Sequence, residues 1–148
     1  MVIDFSKIDL RKRPTFILRN LNGDAIGVLH NVLNPTGSFN YNDLSEIQFD
    51  YPSQIDGEKL KEYDLLTGMR VVDVQGYGQF ILQNPEENDN GIIKKKSCKA
   101  YSLEQELSDK EINLEEGTYC FWNPFTPDSS ILSIIIETVP SWTIGTVS

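Results

Sequence analysis

A single histidine, two cysteines and 22 acidic residues are the stock from which this 148-residue chain could build a reactive site. His30 would have to serve any Ser-His-Asp or Cys-His arrangement and any zinc site. No C-x-x-C or H-E-x-x-H spacing stands ready to hold a metal beside it, so it reads as an ordinary surface or loop histidine at the end of an expected strand. Glu86, Glu87 and Asp89 lie close enough together to attract calcium. They lack the D-x-D-x-D-G order with a distant bidentate glutamate, and a solvated hairpin loop explains them better. Glu104, Glu106, Asp109 and Glu111 could imitate the paired carboxylates of a glycosidase. Nothing around them signals burial or a sugar cleft, and a solvated or subunit-facing acidic strand is the simpler reading. Gly76-Tyr77-Gly78 is too short for a phosphate loop, lacks the lysine and helix that should follow one, and is read as a turn between strands. No constellation for nucleophilic, acid–base or metal catalysis remains. The expectation is no enzyme, with no catalytic, cofactor-binding or metal residues and no cofactor.

Three side-chain groups suit binding instead. Phe121, Trp122 and Phe125 beside Asn123 and Pro124 could form an aromatic platform for sugar, although packing in a core or interface explains them better. Lys94-Lys95-Lys96 with Lys99, and Arg11-Lys12-Arg13, are the two basic clusters. Single-stranded DNA could be invoked for them, but pairing with the acidic 104–116 segment, within the chain or on a neighbouring subunit, or plain solvation explains them better. That segment carries six acidic residues against one lysine. The net charge of −9, from 13 basic and 22 acidic residues, argues against specific nucleic acid or an anionic membrane as the main partner. Cys98 and Cys120 are too few for a disulfide framework and are expected to be reduced, buried and small, pairing only if their strands are neighbours.

The elements that must position these residues are mostly short strands. Thr15 to Leu21 and Ala25 to Leu29 flank the tight-turn signal Asn22-Gly23-Asp24, and Asn34-Pro35-Thr36-Gly37-Ser38 reads as a chain break. From Ser45 to Tyr51 the residues alternate strictly, Ile47, Phe49 and Tyr51 against Glu46, Gln48 and Asp50, which marks a half-buried strand. Leu60 to Leu65 forms a turn or two, and Met69 to Gln75 is the next strand, with Gly76 and Gly78 allowing a sharp turn or bulge. Phe80-Ile81-Leu82 and a run opening at Ile92-Ile93 are then two strands joined by a polar loop, 84–91, that is unsuited to a strand, mobile and dispensable. Six short strands with regular turns suggest a barrel or sandwich. Further on, Gly117 to Trp122 reads as a strand. Thr126-Pro127-Asp128 signals a helix start, and Ile131, Ile135 and Val139, with Leu132 and Ile136, give an apolar helical face up to Pro140. Trp142 to Ser148 resembles a strand cut off after it begins, so the chain is read as the N-terminal piece of a longer protein. No apolar stretch approaches the length of a membrane span, and no secretory signal opens the sequence.

Several of these segments resemble, in wording as well as pattern, the N-terminal region of phage and prophage tail minor structural proteins, the baseplate-hub and tail-associated lysin family. The family reads "G-x-Y-G-x-F-I-I", then a variable acidic loop, then "K-x-V-x-C-x-S-L-E-x-E-L". The counterparts are Gly76-Tyr77-Gly78-Gln79-Phe80-Ile81-Leu82 and Lys96-Ser97-Cys98-Lys99-Ala100-Tyr101-Ser102-Leu103-Glu104-Gln105-Glu106-Leu107. Glu46 to Pro52 looks like the family's early strand, Tyr63-Asp64-Leu65-Leu66 with Gly68-Met69-Arg70-Val71 like its "Y-D-L-L-x-x-G-M-R-V", and Leu132 to Gly145 like its "L-x-x-I-L-x-x-x-x-x-W-x-I-G". The resemblance implies a β-rich α+β fold: a small barrel-like antiparallel hub domain over 1–100, then the start of a second α+β subdomain over 101–148. It further implies a homotrimeric ring at the tail tip that continues the tail tube, binds other tail and baseplate proteins, and anchors host-interaction or lysin domains. The protein would reside in the virion tail after synthesis in a bacterial host cytoplasm, and any peptidase or muramidase activity would lie beyond Ser148. A carbohydrate- or peptide-binding β-module is the alternative.

Overall fold

The alternation at Glu46-Ile47-Gln48-Phe49-Asp50-Tyr51 folds as a strand whose three apolar side chains are buried and whose polar ones line the opposite face, because successive side chains of an extended backbone point to opposite sides. The computed structural model describes residues 1–41, 43–105, 111, 120–139 and 142–145. The chain divides into two compact units, Met1–Gln105 and Glu106–Ser148.

In the first unit the strands are β1 (Val2–Asp4), β2 (Phe16–Arg19), β3 (Ala25–Val28), β4 (Leu33–Ser38), β5 (Glu46–Pro52), β6 (Gln54–Ile55), β7 (Glu58–Lys59), β8 (Val71–Val74), β9 (Gly78–Leu82), β10 (Glu86–Asp89) and β11 (Lys94–Ser102), with one short helix, α1 (Lys61–Leu65). The main sheet runs β1-β4-β5-β11-β9-β8-β2-β3, with β10 also on β11, and every pairing in it is antiparallel. The β-rich α+β class is thus as expected. The sheet rolls upon itself. Phe16 on β2 and Phe49 on β5 have ring centroids 5.7 Å apart, whereas a flat sheet would separate strands four positions apart by about 19 Å. The twist of the strands supplies the curvature, but the roll is not closed into a barrel: β1 and β3 end the strand path without pairing to each other.

The rolled face encloses the core, in which Phe16, Leu18, Ile47, Phe49, Tyr51, Val72, Val74, Phe80, Leu82, Cys98 and Ala100 meet. Phe5 plugs one end. Asp4 accepts a hydrogen bond from the Ser6 backbone N–H and so caps a 3-10 turn, Phe5–Lys7. That turn drives the fully buried Phe5 ring against Phe16, Phe39 and Tyr77 at 6.1, 6.4 and 4.9 Å.

Three expectations need correction here. Asn34 to Ser38 does not break the chain but lies in β4. A register shift between Leu33 and Thr36 absorbs the Asn34-Pro35 step, which lets a residue with no N–H sit inside a paired strand. The segment 84–91 is not a mere loop either: Glu86–Asp89 is β10, paired residue for residue with Ser97, Lys96, Lys95 and Lys94. Opposite charges across the ladder compensate for a composition poor in strand formers. The hairpin therefore exists, but its turn lies at 90–93, and the exposed Ile92 and Ile93 belong to that turn and not to a strand.

In the second unit, Pro127–Ser129 is a 3-10 turn and α2 (Ile131–Glu137) starts after Ser130. The expected start at Pro127 is displaced because the Ser130 backbone N–H bonds back to the Pro127 carbonyl, closing a tighter turn before the helix proper. Trp142–Gly145 is not in a strand. The expected strand at Gly117 lies mostly outside the described residues; Cys120, Phe121 and Trp122 are not in a strand, and the Cys120 and Phe121 carbonyls accept from the Ile131 and Leu132 backbone N–H groups.

Candidate functional site

Most of the singled-out residues have a described place. His30 is exposed in a turn after β3, and no group of three potential metal ligands occurs among the described residues. Glu86, Glu87 and Asp89 are on β10. Glu104 and Glu111 are exposed, while Glu106 and Asp109 lie outside the described residues. Gly76 and Gly78 take φ values of 84° and 120° in the β8–β9 turn, conformations open to glycine and strained for other residues; Tyr77 between them packs on Phe5 and Phe39. Phe121 and Phe125 are exposed, the latter 92%, beside a half-buried Trp122. Cys98 is buried but Cys120 is exposed, contrary to expectation for the second; both thiols are free.

The four lysines of β11 do not form one basic patch. Alternation along the strand sends Lys95 and Lys99 to the outer face of the sheet and Lys96 to the inner one. Lys95 Nζ meets Asp50 Oδ2 at 2.8 Å, and Ser97 Oγ donates to Asp50 Oδ1 at 2.8 Å. Lys99 pairs with Glu46 at 3.1 Å and lies 5.0 Å from the Tyr101 ring centroid. Lys94 pairs with Glu87 at 2.7 Å. Among the described residues Lys94, Lys95 and Lys99 therefore pair with Glu87, Asp50 and Glu46 of the same sheet; most of the acidic 104–116 segment lies outside the described residues. Hydrogen bonding to Lys94 lowers the Glu87 carboxyl and, reciprocally, raises Lys94; Tyr101 and then Glu46 raise Lys99. Arg13 is exposed and donates to the Ile8 and Ser6 carbonyls.

Lys96 is the residue that the sequence reading placed wrongly. It is buried, and its ammonium donates to the carbonyls of Tyr63 and Leu66, both at 2.8 Å, while lying 4.6 Å from the Tyr63 ring centroid. These carbonyls belong to the last turn of α1 and to its C-cap, Leu66, where backbone oxygens lack helical partners. Beside it a cleft of about 210 Å³ is lined by Ser53, Gln54, Lys59, Leu60, Tyr63, Asp64 and Lys94. Small-molecule sites usually measure about 300–1,000 Å³, so this one suits at most a few atoms.

What the first unit offers most plainly is strand edges. Among the described residues β1 pairs only with β4, β3 only with β2, and β10 only with β11. All three are short, and β10 carries Glu86, Glu87 and Asp89, devices that discourage indiscriminate pairing while leaving backbone donors and acceptors for a chosen partner. Among the described residues no helix is long and apolar enough to cross a membrane. Comparison with known protein families, with curated proteins and with solved structures returns no match.

Proposed function

We propose that this chain is a structural component of a phage tail tip or baseplate hub, forming a homotrimeric ring that continues the tail tube and anchors downstream host-interaction or lysin domains. The observation that carries the reading is where the resembling segments fall. Glu46 to Pro52 is β5, Lys96 to Ser102 is most of β11, Gly76 to Leu82 is the β8–β9 turn with β9, and Met69-Arg70-Val71 leads into β8. These four strands are consecutive neighbours, β5-β11-β9-β8. A pattern scattered over some sixty positions of sequence thus becomes one hydrogen-bonded block, and that supports the reading.

The role is mechanical. A rolled sheet gives each subunit a stiff wall, and short charged edges give it faces that associate with a specific neighbour. A heterologous edge-to-edge contact closes into a ring when the rotation per subunit is a third of a turn. Antibody labelling of purified tails by electron microscopy tests this: label at the end distal to the head is expected, accompanied by a three-chain mass in light scattering of the assembled hub. Label elsewhere or nowhere on the tails overturns the reading.

A second reading, a carbohydrate- or peptide-binding module, draws on the exposed Phe121 and Phe125 beside Trp122. It requires retention on defined cell-wall glycans that is lost in Phe125→Ala.

A further inference from the structure

The tip of the β10–β11 hairpin brings together the groups that an intramolecular attack on an amide requires. The nucleophile is the backbone nitrogen of Gly91, whose N–H donates to Asp89 Oδ1 at 2.8 Å. The electrophile is the side-chain carbonyl of Asn90, whose Oδ1 accepts from the backbone N–H groups of Ile92 and Ile93 at 3.0 and 2.9 Å. Two donors at that distance polarise a carbonyl and stabilise the oxyanion that forms from it, and a carboxylate within hydrogen-bond reach of the proton is placed to remove it. These bonds hold the Asn90 side chain forward along the turn, on the side of the Gly91 nitrogen with which Cγ closes a five-membered ring. Gly91 has φ 79° and nothing within 4 Å of where a Cβ would stand, so no side chain of its own or of a neighbour crowds that point of the turn.

We propose that Asn90 is a self-deamidation site, with Asp89 as its general base and the Ile92 and Ile93 amides as its oxyanion hole. The Gly91 nitrogen attacks Cγ of Asn90 and gives its proton to the Asp89 carboxylate. The N–Cγ bond forms, the Cγ–Nδ2 bond breaks, and Nδ2 leaves as ammonia with the proton returned from Asp89. The product is a five-membered succinimide spanning residues 90 and 91. Water then opens it: cleavage at Cγ leaves aspartate, and cleavage at the Asn90 backbone carbonyl leaves isoaspartate, which carries the chain through the side chain. The net change is water in and ammonia out, with no oxidation or reduction. A new carboxylate then stands beside Asp89 and the exposed Ile92 and Ile93, altering the charge of this hairpin tip irreversibly with time.

The chain contains its own comparison. Asn22-Gly23 is also exposed in a hairpin turn, and Gly23 also has a positive φ, 90°. There, however, the Gly23 N–H donates to the Asn20 carbonyl at 3.0 Å and not to a carboxylate. The test is to incubate the purified protein at near-neutral pH and physiological temperature and follow both sites by peptide mass spectrometry, with isoaspartate detected by methyltransferase labelling. Asn90 is expected to convert several-fold faster than Asn22. Asp89→Asn keeps an acceptor for the Gly91 N–H but loses the base, and should bring Asn90 down several-fold while Asn22 is unchanged. Circular dichroism of that variant establishes that the fold is kept; if it is not, Asp89→Glu, which moves the carboxylate without removing it, should give an intermediate rate. Conversion of Asn90 no faster than Asn22, or a rate at Asn90 indifferent to both variants, overturns the proposal.

Discussion

Lys96 is bound to Tyr63 twice over: its ammonium donates to the Tyr63 carbonyl at 2.8 Å and lies 4.6 Å from the centroid of the same residue's ring. With the Leu66 carbonyl as third partner, one buried cation ties β11 to the end of α1. Replacing it by methionine keeps most of the stem but leaves two carbonyls without their donor. An unsatisfied buried acceptor costs about 1–3 kcal/mol, so Lys96→Met should lower stability by about that much in urea unfolding. Lys12→Met, on the exposed basic cluster, should stay within about 0.5 kcal/mol. Equal midpoints for the two variants would show that Lys96 braces nothing.

Gly37 on β4 is crowded by the aromatic plug. A Cβ there would stand 2.7 Å from Phe39 Cε2 and 3.0 Å from Phe5 Cε2. Phe5 is fully buried and cannot retreat freely. Gly37→Ala should therefore cost about 1–3 kcal/mol, the usual penalty for overpacking, and shift the Phe5 and Phe39 ring resonances in NMR. An unchanged melting temperature would mean that the rings yield without strain.

Asp50 makes stability depend on acid. Burial alone would raise its carboxyl, but hydrogen bonds from Lys95 and Ser97 outweigh that and hold it below the usual value. A lowered folded-state value contributes stability that is fully present above the unfolded value of about 3.9 and disappears as pH falls through the folded one. Asp50→Asn should cost about 1 kcal/mol at neutral pH and close to nothing once the wild-type carboxyl is protonated. Urea titrations at both pH values measure the difference, and a penalty that persists in acid would assign it to packing.

Cys98 is expected to be inert in the native state. Burial, opposed more weakly by the Lys96 charge, pushes its thiol up to about 12, and only the thiolate reacts. Cys120 is exposed. A disulfide reagent at mildly alkaline pH should titrate one thiol in the native protein and both in denaturant. Rapid reaction of two native thiols would contradict the burial of Cys98.

Local pattern was enough to find β5, the Asn22-Gly23 and Gly76–Gly78 turns, and the β-rich class. Alternation and the tolerance of glycine for positive φ are properties of the backbone within a few residues. The same local rules failed where a distant neighbour decides the outcome. Glu86–Asp89 has the composition of a loop and becomes a strand because four residues of β11 stand opposite it. Asn34-Pro35 has the look of a break and is carried inside β4 because β1 and β5 flank that strand. The run Lys94-Lys95-Lys96 looks like one basic patch, yet its three charges meet Glu87, Asp50 and the α1 carbonyls. The latter two partners lie 45 and 33 residues away for Lys95 and for Lys96 with Tyr63. The rolling of the sheet, which brings Phe16 onto Phe49, is likewise invisible along the chain. Side-chain direction is set locally by the pleat, but which face becomes interior, and what charge waits there, is settled only when strands far apart in sequence pair.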